Sequence, residues 1–358
     1  MLLLANIEEM IPLGHPLRKI KALADACLGR MSATFNAMYE DHGRNSIPPE
    51  HLLKGQLLIA LYSVRSERQL CEQLQYNMLF RWFLDMDMVS PAFNHSSFSK
   101  NRERLMRHDV AHEFFAEVVA EARKNRLMSE EHFSVDGTLI EAWASLKSFR
   151  PKDERDDDKG PPDAGTPSNR WVNFHGEKRS NETHESKTDP EAKLMRKGFG
   201  KEAKLSFSAH ALSENRNGLL VDLRVAEASG MAERRVALEM IDGLARPKRG
   251  TITMGADKGY DTKDFVAECR LRHTTPHVAQ NNKHRRSAID ERTTRHDGYS
   301  MSQRLRMRIE EVFGWGKTIG GLRKTMVRGI AKNQMRAHLI GAVYNLIRIA
   351  KLLEPQKG

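Results

Sequence analysis

The sequence predicts a mixed α/β protein with an all-helical N-terminal domain. Three observations carry that expectation. Residues 1–128 place apolar side chains at helical spacing, with few strand signals. Residues 129–358 read in the order strand, hairpin, helix, strand, helix, strand, helix, which is a mixed α/β pattern. The chain, 358 residues long, has ample length to bury a core and holds no internal repeat. No apolar run reaches the length of a membrane-spanning helix, and the opening MLLLANIEEM lacks a basic n-region and a small-residue cleavage site.

The elements follow in chain order. PPEHLLKGQLLIALYSV opens on prolines, which suit a helix entrance. Ser66-Glu67-Arg68-Gln69 has the spacing of a capping box and opens the next helix. Beyond Pro91, Phe98, Leu105, Phe114, Phe115 and Val119 fit the faces of two helices broken near His108. EHFSVDGTLIEAWA (131–144) reads as a strand entering the core. Residues 147–203 form a polar insertion, and the Pro/Gly/Asp-rich KSFRPKDERDDDKGPPDAGTPSNR reads as a mobile loop. A hairpin follows, turning at Asn217-Gly218. MAERRVALEMIDGLA is an amphipathic helix, GTITMGAD a strand, TKDFVAECRLR a short helix and TPHVAQ a short strand. The basic loop NNKHRRSAIDERTTRHDGYS leads into one long helix, MSQRLRMRIEEVFGWGKTI.

The net charge of +11 is confined to one region. Residues 251–358 hold 21 Lys/Arg and 10 Asp/Glu, so the whole excess lies there. A concentrated positive field favours a polyanion, because binding releases condensed counterions. The segment also contains FGWGKTIGGL and AHLIGAVYNLIRIAKLL, which read as folded chain and not as a basic tail. In SSFSKNRERL, Lys100, Arg102 and Arg104 follow a Ser-rich entrance, which suits a helix laid on DNA; an ordinary solvated face is an equal reading. Cys27, Cys71 and Cys269 lie far apart, which fits neither zinc spacing nor a disulfide framework, and a reducing cytoplasm is the default. His132, His210, His284 and His296 form no zinc pattern.

Three acids stand out. Asp136 sits mid-strand in FSVDGT, where an unpaired carboxylate is costly; a buried Asp capping a turn is the plain alternative. Asp257 ends the strand ITMGAD, where ligands gather in α/β sheets, or where an Asp simply opens a turn. Glu310 shares a helical face with Arg306 and Lys317, which also suits a salt-bridged surface helix. Three such carboxylates at one sheet edge could hold two Mg²⁺ ions about 4 Å apart for phosphoryl transfer, with Mn²⁺ as a substitute.

The chain resembles the DDE transposases of bacterial insertion sequences, the insertion-sequence-five type in particular. The likeness rests on HPLR, the stretch GRNSIPPEHLLKGQLLIALYSVRSERQLCEQLQYNMLFRWF, FSVDGTLIEAWASLKSF, NETHESKTDPEAKL, ADKGYD and RMRIEEVFGWGKT. It implies an RNase H-like catalytic domain over residues 129–358 behind a helical DNA-end-binding domain over 1–128. It also implies that Asp136, Asp257 and Glu310 are catalytic, metal-binding acids. The choice of Glu310 over Glu311 follows that family's Tyr-(2)-Arg-(3)-Glu-(6)-Lys signature, whose Tyr position is Gln303 here. Arg306, Lys317, Lys258, Lys283, Arg285 and Arg286 join Lys100, Arg102 and Arg104 as DNA-binding candidates. The expected partners are double-stranded DNA, as terminal inverted repeats and target, and a second copy of the chain in the synaptic complex. The rival readings are an inactive or domesticated DNA-binding derivative and a structure-selective nuclease.

Overall fold

A computed structural model describes residues 6–38, 47–152, 179–198, 200–245, 250–283 and 285–354. The described residues open with the helices α1 (Ile7–Met10), α2 (Pro16–Arg30), α3 (Ser32–Ala37), α4 (Pro49–Leu61), α5 (Glu67–Gln73), α6 (Met78–Phe83), α7 (His95–Arg107) and α8 (Val110–Lys124). Their starts follow local chemistry. Pro49 stands at the first position of α4, where a missing N–H costs nothing. Ser66 accepts the Gln69 N–H at 3.1 Å, as the capping box requires, while the Gln69 side chain reaches back one residue further, to the Arg65 N–H at 2.9 Å. The break between α7 and α8 falls at His108-Asp109, where Asp109 adopts φ 48°. Phe98, Leu105, Phe114, Phe115 and Val119 are all buried.

Among the described residues the strands that follow are β1 (His132–Glu141), β2 (Phe149–Pro151), β3 (His184–Ser186), β4 (Lys193–Arg196), β5 (Ala203–Glu214), β6 (Leu220–Glu227), β7 (Ile252–Ala256) and β8 (Thr274–Val278). Between and after them come α9 (Ala232–Asp242), α10 (Lys263–Leu271), α11 (Glu291–Thr294), α12 (Asp297–Leu305), α13 (Arg308–Thr318) and α14 (Ile330–Leu352). The main sheet runs β4-β5-β1-β7-β8, and β6 also pairs with β5. Strand β5 runs antiparallel to both β1 and β6; β7 and β8 then add parallel to β1. This is the mixed α/β, RNase H-like core that the resemblance implies.

The hairpin turn is held by Glu214, which is fully buried. Its two carboxylate oxygens accept the backbone N–H groups of Ser129, Arg216, Asn217 and Leu219 at 2.7–3.0 Å. A buried charge is tolerated only with such partners. Gly218 follows with φ 68°, a conformation open to glycine.

Three sequence expectations change. The polar insertion at 147–203 carries strands: β2, within the stretch read as a loop, pairs with β3, and β4 extends the main sheet beside β5. The loop expected across residues 153–170 lies outside the described residues, as does His284. The long C-terminal helix is two helices. Around Arg306 and Met307 the ladder tightens to i→i+3 bonds, Ile309 N–H to Arg306 O and Glu310 N–H to Met307 O, both 3.1 Å. The basic loop before it is shorter than expected, because α11 and the start of α12 form within it.

One apolar core joins the N-terminal helices to one face of the sheet through α14, which packs on α2, α4, α8 and β6. Leu339, Ile340, Val343, Leu346 and Ile349 are buried around much of its circumference, as an interior helix requires. Each such side chain contributes about 1.5–3 kcal/mol. A second core, from Phe133, Val135, Leu212, Val236, Met240 and Met254, lies on the opposite face under α9 and α10.

Candidate active site

Strands β1 and β7 pair only over residues 132–134 and 253–255, and then part. Asp136 lies just past the last paired residue of β1, and Asp257 directly follows β7. The two carboxylates therefore flank an opening at the edge of the parallel pair. Close approach builds its wall: a Cβ at Gly255 would lie 2.9 Å from Ser134 Oγ and 3.5 Å from Arg306 Cβ, so only glycine lets the end of α12 come so near.

Burial pushes the Asp136 carboxyl up to about 6. The N–H of Gly137, 2.8 Å from Asp136 Oδ1, opposes this; the charges of Asp257 and Glu233 add to it, and Arg306 draws it back. Asp257 also caps the turn Lys258–Tyr260, accepting the Gly259 N–H at 2.7 Å. The plain reading of Asp257 is thus true as well, and the charge of the same residue also reaches Asp136.

Lys317 donates to Thr138 Oγ1, two residues beyond Asp136 and on the same face of β1. Burial lowers the Lys317 ammonium and Asp136 supports it. Arg306 Nε bonds Gln303 Oε1 at 3.1 Å, and Gln303 Nε2 bonds the His277 carbonyl of β8 at 2.6 Å. Gln303, where the signature has Tyr, therefore anchors Arg306 to the sheet. Glu310 stands on α13 between these two cations and is exposed. Helical spacing puts it on the Lys317 side, but the carboxylates that weigh most on Asp136 are Asp257 and Glu233. Glu311 instead pairs with Arg348 at 2.8 Å. Among the described residues, no three His, Cys, Asp or Glu side chains are gathered closely enough to grip one ion. The carboxylate oxygens of Asp136 and Asp257 are the hard donors that Mg²⁺ or Mn²⁺ takes.

The basic loop is tied to this edge by Asp261, a buried residue of the same turn. Asp261 accepts the Asn281 N–H at 2.7 Å and the Ala288 N–H at 2.9 Å, and Arg285 Nη2 bonds its carbonyl at 2.5 Å. Lys283, Arg285 and Arg286 are exposed on the loop so held, and Lys258 is exposed in the turn. Lys100 is exposed on α7, far along the chain from this edge, and Arg104 is half-buried there. Arg102 pairs with Glu67 at 2.7 Å, tying α7 to α5. The sequence reading missed Glu233 and Tyr260. Glu233 sits in the first turn of an amphipathic helix, and no pattern marks it; Tyr260 lies inside the ADKGYD motif, which was the available signal.

An acidic opening at a sheet edge, with cations on both sides, has the charge pattern that phosphoryl transfer uses. Comparison with known sequences narrows it. Residues 5–104 match the transposase domain (DUF772), and residues 128–346 match the transposase DDE domain. The chain belongs to the DDE transposase family. No curated protein matches it. Among solved structures, the chain is similar to a piggyBac transposase synaptic complex with hairpin DNA (10% identity, TM-score 0.39, covering 96% of this chain and 77% of that one). It is also similar to a Mos1 transposase paired-end complex with the left transposon end (11% identity, TM-score 0.21, covering 79% and 82%). No helix among the described residues is long and apolar enough to cross a membrane.

Proposed function

We propose that this transposase binds the terminal inverted repeats of its own insertion sequence and performs Mg²⁺-dependent strand cleavage and strand transfer, with Asp136, Asp257 and Glu310 as its acids. The observation that supports this reading is the position of Asp136 and Asp257 at the edge where β1 and β7 part, within electrostatic reach of each other and of Arg306 and Lys317. Asp136 and Asp257 would hold the divalent cation, and Glu310 would complete the set from α13. Held by these residues, such an ion would supply charge neutralisation to a phosphodiester under attack.

The chain's own residues do the rest. Lys317, fixed on Thr138, and Arg306, fixed by Gln303, present positive charge where phosphate oxygens would lie. Lys258, Lys283, Arg285 and Arg286 extend that field and position the DNA backbone without choosing a sequence. The α7 cations Lys100, Arg102 and Arg104 join the end-binding surface. Joining two element ends calls for two copies of the chain.

The test is strand transfer on a duplex carrying the element's ends, with Mg²⁺ or Mn²⁺. The wild type should nick the end and join it to target DNA. Asp257→Asn should still bind the end while transfer disappears. Undiminished transfer by that variant would overturn the assignment, and end binding without any nicking by the wild type would favour a DNA-binding derivative.

A further inference from the structure

Behind the two aspartates the structure holds a third carboxylate that the DDE trio does not include. Glu233 lies in the first turn of α9, and its neighbour Arg234 bonds the Gly259 carbonyl at 3.3 Å, which sets this turn against the one that follows Asp257. On its other side Glu233 leans over Gly137. A Cβ there would lie 3.0 Å from Glu233 Cγ and 3.1 Å from its Oε1. The carboxylate is open to solvent on one side, yet burial of the rest and the charge of Asp257 hold it above its ordinary range.

Two orphaned polar atoms lie in the neighbourhood of this group. Tyr260 is 1% exposed, and its hydroxyl has no hydrogen-bond partner among the described residues. The charges that act most on that hydroxyl are those of Glu233, Asp136 and Asp257, in that order. His210 is fully buried; its Nε2 meets Ser208 Oγ at 2.9 Å, while Nδ1 has no partner. That Nδ1 lies 3.2 Å from the same point over Gly137 that Glu233 approaches. Ser208 Oγ donates to the Ala226 or Glu227 carbonyl, both at 3.2 Å, so it accepts from His210 Nε2 and leaves Nδ1 as a bare acceptor. Buried donors and acceptors of this kind are normally satisfied, and water is the usual partner where protein is not.

We propose that Glu233 is a fourth acid of the site, a positioning residue that holds the outer water shell of a divalent cation bound between Asp136 and Asp257, backed by Tyr260 and His210. The inference rests on the cation site proposed above. Water is the fitting link, because Mg²⁺ and Mn²⁺ retain waters. Among the described residues no three such side chains reach one ion directly. The hydroxyl of Tyr260 would donate to that shell and Nδ1 of His210 would accept from it. Gly137 is required because any side chain would occupy the space between them.

The test is Mn²⁺ binding to the full chain without DNA, measured from the free-ion paramagnetic resonance signal, beside thermal melting in EDTA and in Mn²⁺. The wild type should bind Mn²⁺, and Asp257→Asn should lose it. Glu233→Gln should bind about ten-fold more weakly, the effect of losing an outer-shell partner. In EDTA the same variant should melt no lower than wild type, since it relieves a crowded charge; in Mn²⁺ it should gain less. Tyr260→Phe, which removes one oxygen, should weaken binding about three-fold and guards against a folding failure of the first variant. Affinities within two-fold of wild type in these variants would overturn the role of Glu233 while leaving the Asp136–Asp257 site intact. Absence of Mn²⁺ binding in the wild type would overturn the cation site and, with it, this inference.

Discussion

Lys317 of α13 hydrogen-bonds Thr138 of β1, two residues from Asp136 and on the same face of the strand. One contact thus sets the distance between the helix that carries Glu310 and the strand that carries the first aspartate. Thr138→Val keeps the shape and removes the acceptor from a half-buried ammonium. Stability should fall by about 1.5–3 kcal/mol, the scale for a charged hydrogen bond, read from the urea midpoint. Strand transfer should fall with it while end binding persists. An unchanged midpoint and rate would show that α13 is placed by its apolar face alone.

The Asp136 carboxyl gives a signed pH dependence in protein free of divalent cations. It keeps its proton up to about pH 6, against an ordinary value of 3.8. The folded state therefore holds an extra proton between those values, and stability falls as pH rises through that window. Above it the penalty is fully present, on the order of 3 kcal/mol at most. Asp136→Asn should flatten the slope between pH 4 and 6 and should be the more stable protein at pH 7.5 in EDTA. Urea unfolding across this range checks both; a less stable variant at pH 7.5 would contradict the origin given for the shift.

Glu214 offers a stability test remote from the chemistry. Its side chain satisfies four backbone donors at the β5–β6 turn. Glu214→Ala would strand them in a dry setting, and unfolding free energy should drop by about 3–5 kcal/mol. A loss under 1 kcal/mol would mean that water reaches the turn.

Glu310 and Glu311 are adjacent, and their surroundings differ. Glu311 is engaged by Arg348, whereas Glu310 lies between Arg306 and Lys317 along α13. Glu310→Gln should lower strand transfer by about 10³-fold or more, as loss of a catalytic group does. Glu311→Gln should leave the rate within a few-fold and cost less than about 1 kcal/mol, as for an exposed ion pair. The opposite ranking in a strand-transfer assay would reassign the acid.

Much of the fold could be read in advance because local signals agreed with the final packing. The hairpin announced itself through alternation and Asn217-Gly218, and Asp136 through its presence in an apolar strand. Other features depend on contacts between distant segments. The tie between Arg102 and Glu67 gave no signal in the sequence because the two lie 35 residues apart. The seam at Arg306-Met307 was invisible because both residues suit a continuous helix. Glu233 was silent for a related reason: its position over Gly137 comes from how α9 crosses the sheet, and the spacing of its own helix says nothing of that.

The proposed chemistry needs a divalent cation shared by acids remote in the chain. Its most direct test is a crystal structure of the protein on its element end with Mn²⁺, read by anomalous scattering. The expected map has two peaks about 4 Å apart at the edge where β1 and β7 part, with oxygens of Asp136, Asp257 and Glu310 at about 2.2 Å. Peaks elsewhere, or Glu310 remaining in solvent with DNA and metal in place, would contradict it.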